Sequence, residues 1–420
     1  MSAFGYASLI PHASYLITFY QEQNLTLVST LSAELDEMRA AGTLKRELLM
    51  KSAQGPVVEV EGKGEVIMLT SNNYLGLANH PAIVEAAEKA ESDYGYGLAS
   101  VRFICGTQTI HRTLEERIAQ FFGTDDTILY GSCWNANEGL FQTVALEQDA
   151  IVSDELNHAS IIDGIRLAKA RKERFKNRDM ADFRRALEVT KESRNTVVMT
   201  DGVFSMEGSL APLPEMIDIA KEYGAFLVVD DSHGTGVLGK TGRGTAEELG
   251  VAGKIDAHTS TLGKALGGSH GGFTTGPKPL VDYLRQKSRP YLFSNTLPPA
   301  VVMGSLAAID LLENDPSFVT RLRDNTMYFR AQLTAKGVTV REGIHPIVPI
   351  IIGDTAKAIA MSAELLDRGI YLSGFGFPVV PQGAARLRCQ ISAAHTREHL
   401  DRAIEAIVAV AEKHEVLSNA

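Results

Sequence analysis

The sequence predicts an α/β protein: a mostly parallel sheet with helices on both faces, followed by a smaller α/β domain at the C-terminal end. Three observations carry this. Between about Pro81 and Lys278, amphipathic helical stretches alternate with short β-branched runs at Thr127–Tyr130, Ala150–Val152, Thr196–Thr200 and Ala225–Val229. Such alternation without long polar gaps is what parallel strands joined through helices produce. The side chains best suited to chemistry fall just after Tyr130, Ser153, Thr200 and Val229, where the crevice of a parallel sheet opens beyond its carboxyl ends. Finally, 420 residues of which 45% are hydrophobic exceed one small core and suit two or three lobes.

Taken in order, residues 1–31 read as an N-terminal extension that packs on the body or on a partner subunit. Its apolar run from Ala3 to Tyr20 has no Lys or Arg before Arg39 and is interrupted by Pro11 and His12, which argues against an export signal or a membrane span. Residues 32–80 form a segment with a helix over Ser32–Ala41, closed by Gly42 with Arg39 in its last turn. A hairpin follows, Val57–Val60 and Val66–Leu69 around Gly62-Lys63-Gly64. The large domain covers 81–297. A helical stretch from Pro298 to Lys336 leads into the small domain, 298–420, with a strand at Pro346–Ile352, a helix at Thr355–Arg368, a strand at Ala385–Ile391 and a closing helix at Arg397–Lys413.

A net charge of −10 and a pI near 5.6 argue against nucleic acid or an anionic membrane as the main partner. Cys105, Cys133 and Cys389 are odd in number, widely spaced and without a CxxC pair. They read as reduced cytoplasmic thiols, neither a disulfide framework nor a metal site.

The chemistry centres on Thr259–Gly268, where Lys264 stands among small residues. A lysine without carboxylate neighbours in sequence, on a loop too small to bury it, suits a Schiff base with pyridoxal phosphate (PLP), although Gly-flanked lysines more often lie in solvated turns. Val228-Val229-Asp230-Asp231-Ser232-His233 places a carboxylate at a strand end, where it can keep a pyridine nitrogen protonated, with an imidazole three residues on to bond a phenolic oxygen; an Asp there is otherwise a cap. Gly234–Thr241 fits the phosphate-binding pattern GxxxxGK[ST] of nucleotide hydrolases. Against that reading stand the acids beside it and Gly242-Arg243-Gly244, which interrupts the helix a phosphate would need. Tyr130–Gly139 reads as strand, turn and helix start, with free amides for a phosphate. His158 could stack on a cofactor ring, and Ser205 adds a hydroxyl on the same rim. Ser294 and Asn295 lie where a partner subunit could complete a site. Asn72 and Asn73 mark a turn or offer an amide to a carboxylate. Arg386 and Arg388 alternate on a strand and share one face; either could fork onto a carboxylate, and a solvated strand face is the plain alternative.

With these residues in place, the chain resembles the α-oxoamine synthases, PLP-dependent acyltransferases of fold type I. SNNYLGL, DELNHASIIDG, TDGVFSMEG, VVDDSHG, TLGKALGG and ARLRCQISAAHT occur in order between about residues 32 and 413. ASVRFICGTQ, SRPYLFSN and FPVVPQGAARLR are similar to the branch that condenses glycine with acetyl-CoA. The resemblance implies a seven-stranded sheet in the large domain, and a homodimer with shared active sites. It implies Lys264 as Schiff-base lysine and general base, His158 stacked on the ring, Asp230 on the ring nitrogen, and His233 and Ser205 near the phenolic oxygen. Backbone at Cys133 and Trp134 with Thr261 would hold the phosphate, joined by Ser294 and Asn295 from the other subunit. Asn72 and Arg388 would hold the carboxylate of the amino acid. Trp134 stands where the family carries a smaller aromatic, and Glu138 where it carries glycine. The alternatives are a longer acyl-CoA or a different amino acid with a decarboxylated product and, in a different class, a P-loop nucleotide hydrolase at Gly234–Thr241.

Overall fold

The computed structural model describes residues 25–417 apart from 46 and 378, so most of the N-terminal extension lies outside the described residues. The chain divides into two units, residues 1–49 and 50–420. The first contains a helix, Leu25–Ala40, which begins seven residues before the expected Ser32. Ser29 and Thr30 satisfy their hydroxyls on the Thr26 carbonyl one turn back, so these residues ride inside the helix instead of capping it. It ends as expected: Gly42 takes a left-handed φ of 68° and the Thr43 amide bonds the Met38 carbonyl at 2.9 Å.

In the second unit, β1 (Val57–Val60) and β2 (Gly64–Met68) form the antiparallel hairpin. There follow β3 (Asp126–Tyr130), β4 (Ala150–Asp154), β5 (Arg171–Phe175), β6 (Thr196–Asp201), a small hairpin of β7 (Val203–Phe204) and β8 (Ser209–Leu210), then β9 (Phe226–Asp230), β10 (Ala257–Thr261) and β11 (Gly272–Gly276). Seven of these make one sheet in the order β3-β11-β10-β9-β6-β4-β5. All neighbours are parallel except β11, which is antiparallel to both β10 and β3. The β10–β11 connection, residues 262–271, is too short for a parallel crossover, and it carries Lys264. Alternate strand residues enter different cores. Ile151, Met199 and Val228 pack with Leu140, Ile161 and Leu284 from helices, whereas Val152, Val198 and Val229 pack with Phe183, Leu187 and Ile219. Both faces are therefore covered, as the fold class requires.

Three strands escaped the hydrophobic pattern. β5, Arg-Lys-Glu-Arg-Phe, is the sheet edge, where charge deters pairing with other chains. The buried β10 and β11 are rich in Thr and Ser: Ser260 of β10 bonds Thr235 at 2.8 Å and Thr275 of β11 bonds Thr127 at 2.8 Å, while the Thr259 and Thr274 hydroxyls are buried without a partner.

Helices Pro299–Asn314 and Ser317–Ala335, separated at Asp315-Pro316, lead to β12 (Ile347–Gly353), a helix Thr355–Asp367, β13 (Ile370–Tyr371), β14 (Ser373–Phe375), β15 (Ala385–Gln390) and a closing helix Arg397–Lys413. β12, β15 and β14 form an antiparallel sheet, and β13 joins the N-terminal hairpin by pairing with β2. Among the described residues no helix is long and apolar enough to cross a membrane.

Candidate active site

The carboxyl ends of β3, β4, β6, β9 and β10 open on a cavity of about 230 Å³ lined by Ser132, Cys133, Trp134, His158, Ser160, Asp201, Ser205, Asp230, Ser232, His233, Thr261 and Lys264. Eight of these the sequence singled out, from five separate segments. A larger depression of about 280 Å³ beside Ile83, Leu266 and Val301 has Glu88 and Glu91 as its only ionisable lining, so the chemistry belongs to the smaller one.

At its floor the Lys264 amine lies 2.9 Å from His233 Nε2. The loop that looked too small to bury it leaves it half-buried, because β10 and β11 bring it to the cavity. Burial lowers the lysine pKa, against the pull of Asp230, Cys133 and Asp201. Carboxylates absent from its sequence neighbourhood are thus present in space. Burial, and then the Lys264 charge, also hold His233 well below the usual histidine range, so its imidazole is neutral. His233 Nδ1 meets the Tyr74 hydroxyl at 2.9 Å.

Asp230 ends β9, buried to 4% exposure. Its Oδ2 accepts from Asn137 Nδ2 at 2.8 Å and its Oδ1 from the Ser232 amide at 2.9 Å. His158 caps the helix Ala159–Leu167, its Nδ1 accepting from the Ser160 amide at 3.2 Å, and its own amide donates to Asp201 at 2.9 Å. Burial lowers the His158 pKa. A neutral ring whose Nδ1 accepts carries its proton on Nε2, a donor free for a ligand. Burial and the nearby Asp230 push the Asp201 carboxyl well up.

The helix Cys133–Val144 starts at the cavity wall, and Ser132 takes the Asn135 amide at 3.2 Å, leaving the first-turn amides without intrahelical partners. Trp134 donates to Glu138 at 2.8 Å, so the two departures from the family pattern are one contact. Thr261 sits opposite, its hydroxyl receiving the Gly263 amide at 3.0 Å. Helix-start amides and a hydroxyl for a phosphate, a strand-end carboxylate for a ring nitrogen, a flat imidazole and an amine fit PLP. Ser294 and Asn295 are exposed and are not brought to the cavity within one chain.

The two arginines of β15 do share a face, and it is not solvated. Arg386 is committed to Glu207 at 2.6 Å and to the Met206 carbonyl at 3.0 Å. Arg388 has no carboxylate partner among the described residues; it donates to the Ser205 carbonyl at 3.0 Å and to Gln390 Oε1 at 3.2 Å. Asn72 accepts from Gln390 Nε2, so Gln390 joins Asn72 to Arg388. Asn137, Tyr74, Asp201 and Gln390 were missed. Each bonds a residue distant in the chain, Asp201 through the His158 backbone amide and the others through side chains, which leaves no local pattern to find.

The GxxxxGK[ST] segment is not built for a phosphate. The amides of Gly234 through Leu238 go to backbone carbonyls, those of Gly239 and Thr241 go to the carboxylates of Glu248 at 2.8 Å and Glu247 at 3.1 Å, and the helix behind the segment, Thr245–Glu248, has four residues.

The family model that matches, over residues 64–407, is that of class I and II aminotransferases. The chain is 50% identical over 388 residues, 92% of its length and 93% of the relative's, to the mitochondrial 2-amino-3-ketobutyrate coenzyme A ligase of Homo sapiens. It is 46% identical over 383 residues, 91% and 97% of the two lengths, to 8-amino-7-oxononanoate synthase 1 of Bacillus velezensis. Among solved structures, the serine palmitoyltransferase of S. paucimobilis with a bound PLP–myriocin aldimine is similar with a TM-score of 0.87 at 30% identity, covering 94% of this chain and 99% of that one.

Proposed function

The chain belongs to the class I and II aminotransferase family, and from that premise we propose that it is a PLP-dependent acyltransferase condensing glycine with acetyl-CoA to 2-amino-3-oxobutanoate and CoA, a reaction that is reversible. The observation that carries the reading is the Lys264 amine at 2.9 Å from His233, in one cavity with Asp230. The identity to a 2-amino-3-ketobutyrate coenzyme A ligase supports the substrate pair.

Bound through Lys264, PLP supplies an electron sink for the electron pair left when the α-proton of the amino acid departs. Asp230, steadied by Asn137, would hold the ring nitrogen, His158 would stack on the ring, and His233 and Ser205 would bond its phenolic oxygen. The amides of Cys133 and Trp134 with the Thr261 hydroxyl would hold the phosphate. Ser294 and Asn295 come from a second copy, which makes the working unit a homodimer. Arg388 and Asn72 hold the carboxylate, fixing which α-bond faces the lysine. The Lys264 amine would take the α-proton; burial lowers its pKa, which favours the unprotonated form that a base needs. His158 Nε2 would donate to the oxygen of the thioester carbonyl as the α-carbon bonds to its carbon; the C–S bond breaks, and CoA leaves as the thiol with the proton that Lys264 removed. We read the setting as cytoplasmic, in keeping with free cysteines.

The second reading, a longer acyl-CoA with alanine and loss of carbon dioxide, draws on the likeness to 8-amino-7-oxononanoate synthase. Measuring CoA thiol release for glycine, alanine and serine crossed with acetyl-, succinyl-, pimeloyl- and palmitoyl-CoA separates the two. Fastest release with glycine and acetyl-CoA is expected; a different preferred pair would replace the substrates, and no release with any pair would overturn the acyltransferase reading.

A further inference from the structure

Between the carboxylate handle and the lysine runs a continuous line of buried side chains whose hydrogen-bond direction can be deduced. Arginine only donates. Arg388 Nη2 lies 3.2 Å from Gln390 Oε1, which identifies that atom as the amide oxygen and the other as the NH₂ group. Gln390 Nε2 then donates to Asn72 Oδ1 and, at 3.2 Å, to the Tyr74 phenolic oxygen. Tyr74 has one proton to give. Its candidates are His233 Nδ1 at 2.9 Å and Asn72 Oδ1 at 3.5 Å, and the second lies beyond the usual O–H···O range.

We propose that Gln390 and Tyr74 are positioning residues that fix the tautomer of His233: the Tyr74 hydroxyl donates to Nδ1, so the imidazole presents an Nε2–H donor to the cavity. The proposal rests on the PLP reading only in what that donor meets. Without a ligand the Lys264 nitrogen lies 2.9 Å from the same Nε2, and with PLP bound the donor would meet the phenolic oxygen. Tyr74, Gln390 and His233 are 0%, 1% and 8% exposed, so water has little access to reverse the order. Burial pushes the Tyr74 hydroxyl up to about 12, which keeps its proton in place. The His233 backbone is held as well, its carbonyl accepting from His345 Nε2 at 2.8 Å while His345 Nδ1 accepts from the Ile347 amide at 3.0 Å. One polarity therefore extends from the arginine that takes the substrate carboxylate to the imidazole beside the reacting lysine.

The test is nitrogen–proton NMR of the full chain labelled at histidine nitrogens, with and without PLP, the His233 signals being identified by their loss in His233→Asn. In the unmodified protein the His233 proton is expected on Nε2 in both states. Gln390→Glu offers two acceptors and no donor, so the Tyr74 proton turns to the glutamate, and the His233 proton is expected to move to Nδ1. Tyr74→Phe keeps the ring and should leave a mixture of tautomers, with kcat down about tenfold, the loss of one bond of about 1.4 kcal/mol, and both KM values within about twofold. A proton on Nδ1 in the unmodified protein overturns the proposal even if neither variant folds, as does an unchanged tautomer in Gln390→Glu. If thiol release fails for every substrate while the tautomers behave as stated, the proposed reaction is wrong and the donor line stands.

Discussion

Replacing Arg388 by alanine tests the substrate end of the site most directly. The guanidinium has five N–H bonds. Nη1 is spent on the Ser205 carbonyl at 3.0 Å and the Met206 sulfur at 3.6 Å, and Nη2 gives one hydrogen to Gln390 at 3.2 Å. Nε is buried without a partner. What remains is the Nε–H and the second Nη2 hydrogen, a side-on edge that matches the two oxygens of a carboxylate. Charge-assisted bonds contribute about 1.5–3 kcal/mol each, and with water replacing part of the loss the net effect is about 3 kcal/mol, a rise of roughly 150-fold in the KM for glycine. Arg388→Lys keeps the charge and loses the fork, so a rise of about tenfold is expected. Steady-state rates of thiol release, varying glycine and acyl-CoA separately, give both constants. Equal rises in the two KM values, or a rise confined to acyl-CoA, would refute the assignment.

Three further outcomes are expected. The neutral amine attacks an aldehyde, and burial lowers the Lys264 pKa; PLP uptake by the cofactor-free protein, followed by absorbance, should therefore rise with pH and level off below 10.5, whereas a rise continuing to that pH would mean an ordinary lysine. Glu115, 1% exposed, pairs with Arg102 at 3.0 Å, Arg112 at 2.7 Å and Arg285 at 3.1 Å. Burial alone would raise its pKa, but Arg102 and Arg285 outweigh it and hold the carboxyl below the usual range. Glu115→Gln leaves the buried Arg102 without a counter-charge and Arg285 with only Asp126, at 3.6 Å, and should cost about 3 kcal/mol of stability by denaturant titration, against no measurable change if the cluster is solvated. Lys240 is exposed, so Lys240→Ala should leave thiol release unaltered; nucleotide binding abolished by it would revive the nucleotide-hydrolase alternative.

The readable parts of this chain were those with a local cause. β3, β4, β6 and β9 showed as β-branched runs because a strand covered on both faces must be apolar throughout. Asp230 and His233 lie three apart at one strand end, and Lys264 sits in one short loop, so their spacing survives in the linear text. β10 and β11 did not show, because their Thr and Ser residues break the apolar run although the strands are buried. The helix at Leu25 did not show its start, because Ser29 and Thr30 close their bonds within it.

By itself, then, the sequence determined the alternating architecture, the lysine with its strand-end acid and imidazole, and two arginines on one strand face, since each follows from side-chain periodicity or short spacing. Only the tertiary structure decided which arginine is free for a ligand. Glu207, 179 residues away in the chain, neutralises Arg386, while Gln390 and Tyr74 turn Arg388 and His233 into one hydrogen-bonded line. Charge pairing and bond direction act through space over a few ångströms, and only folding brings residues 74, 207, 233 and 388 within that range.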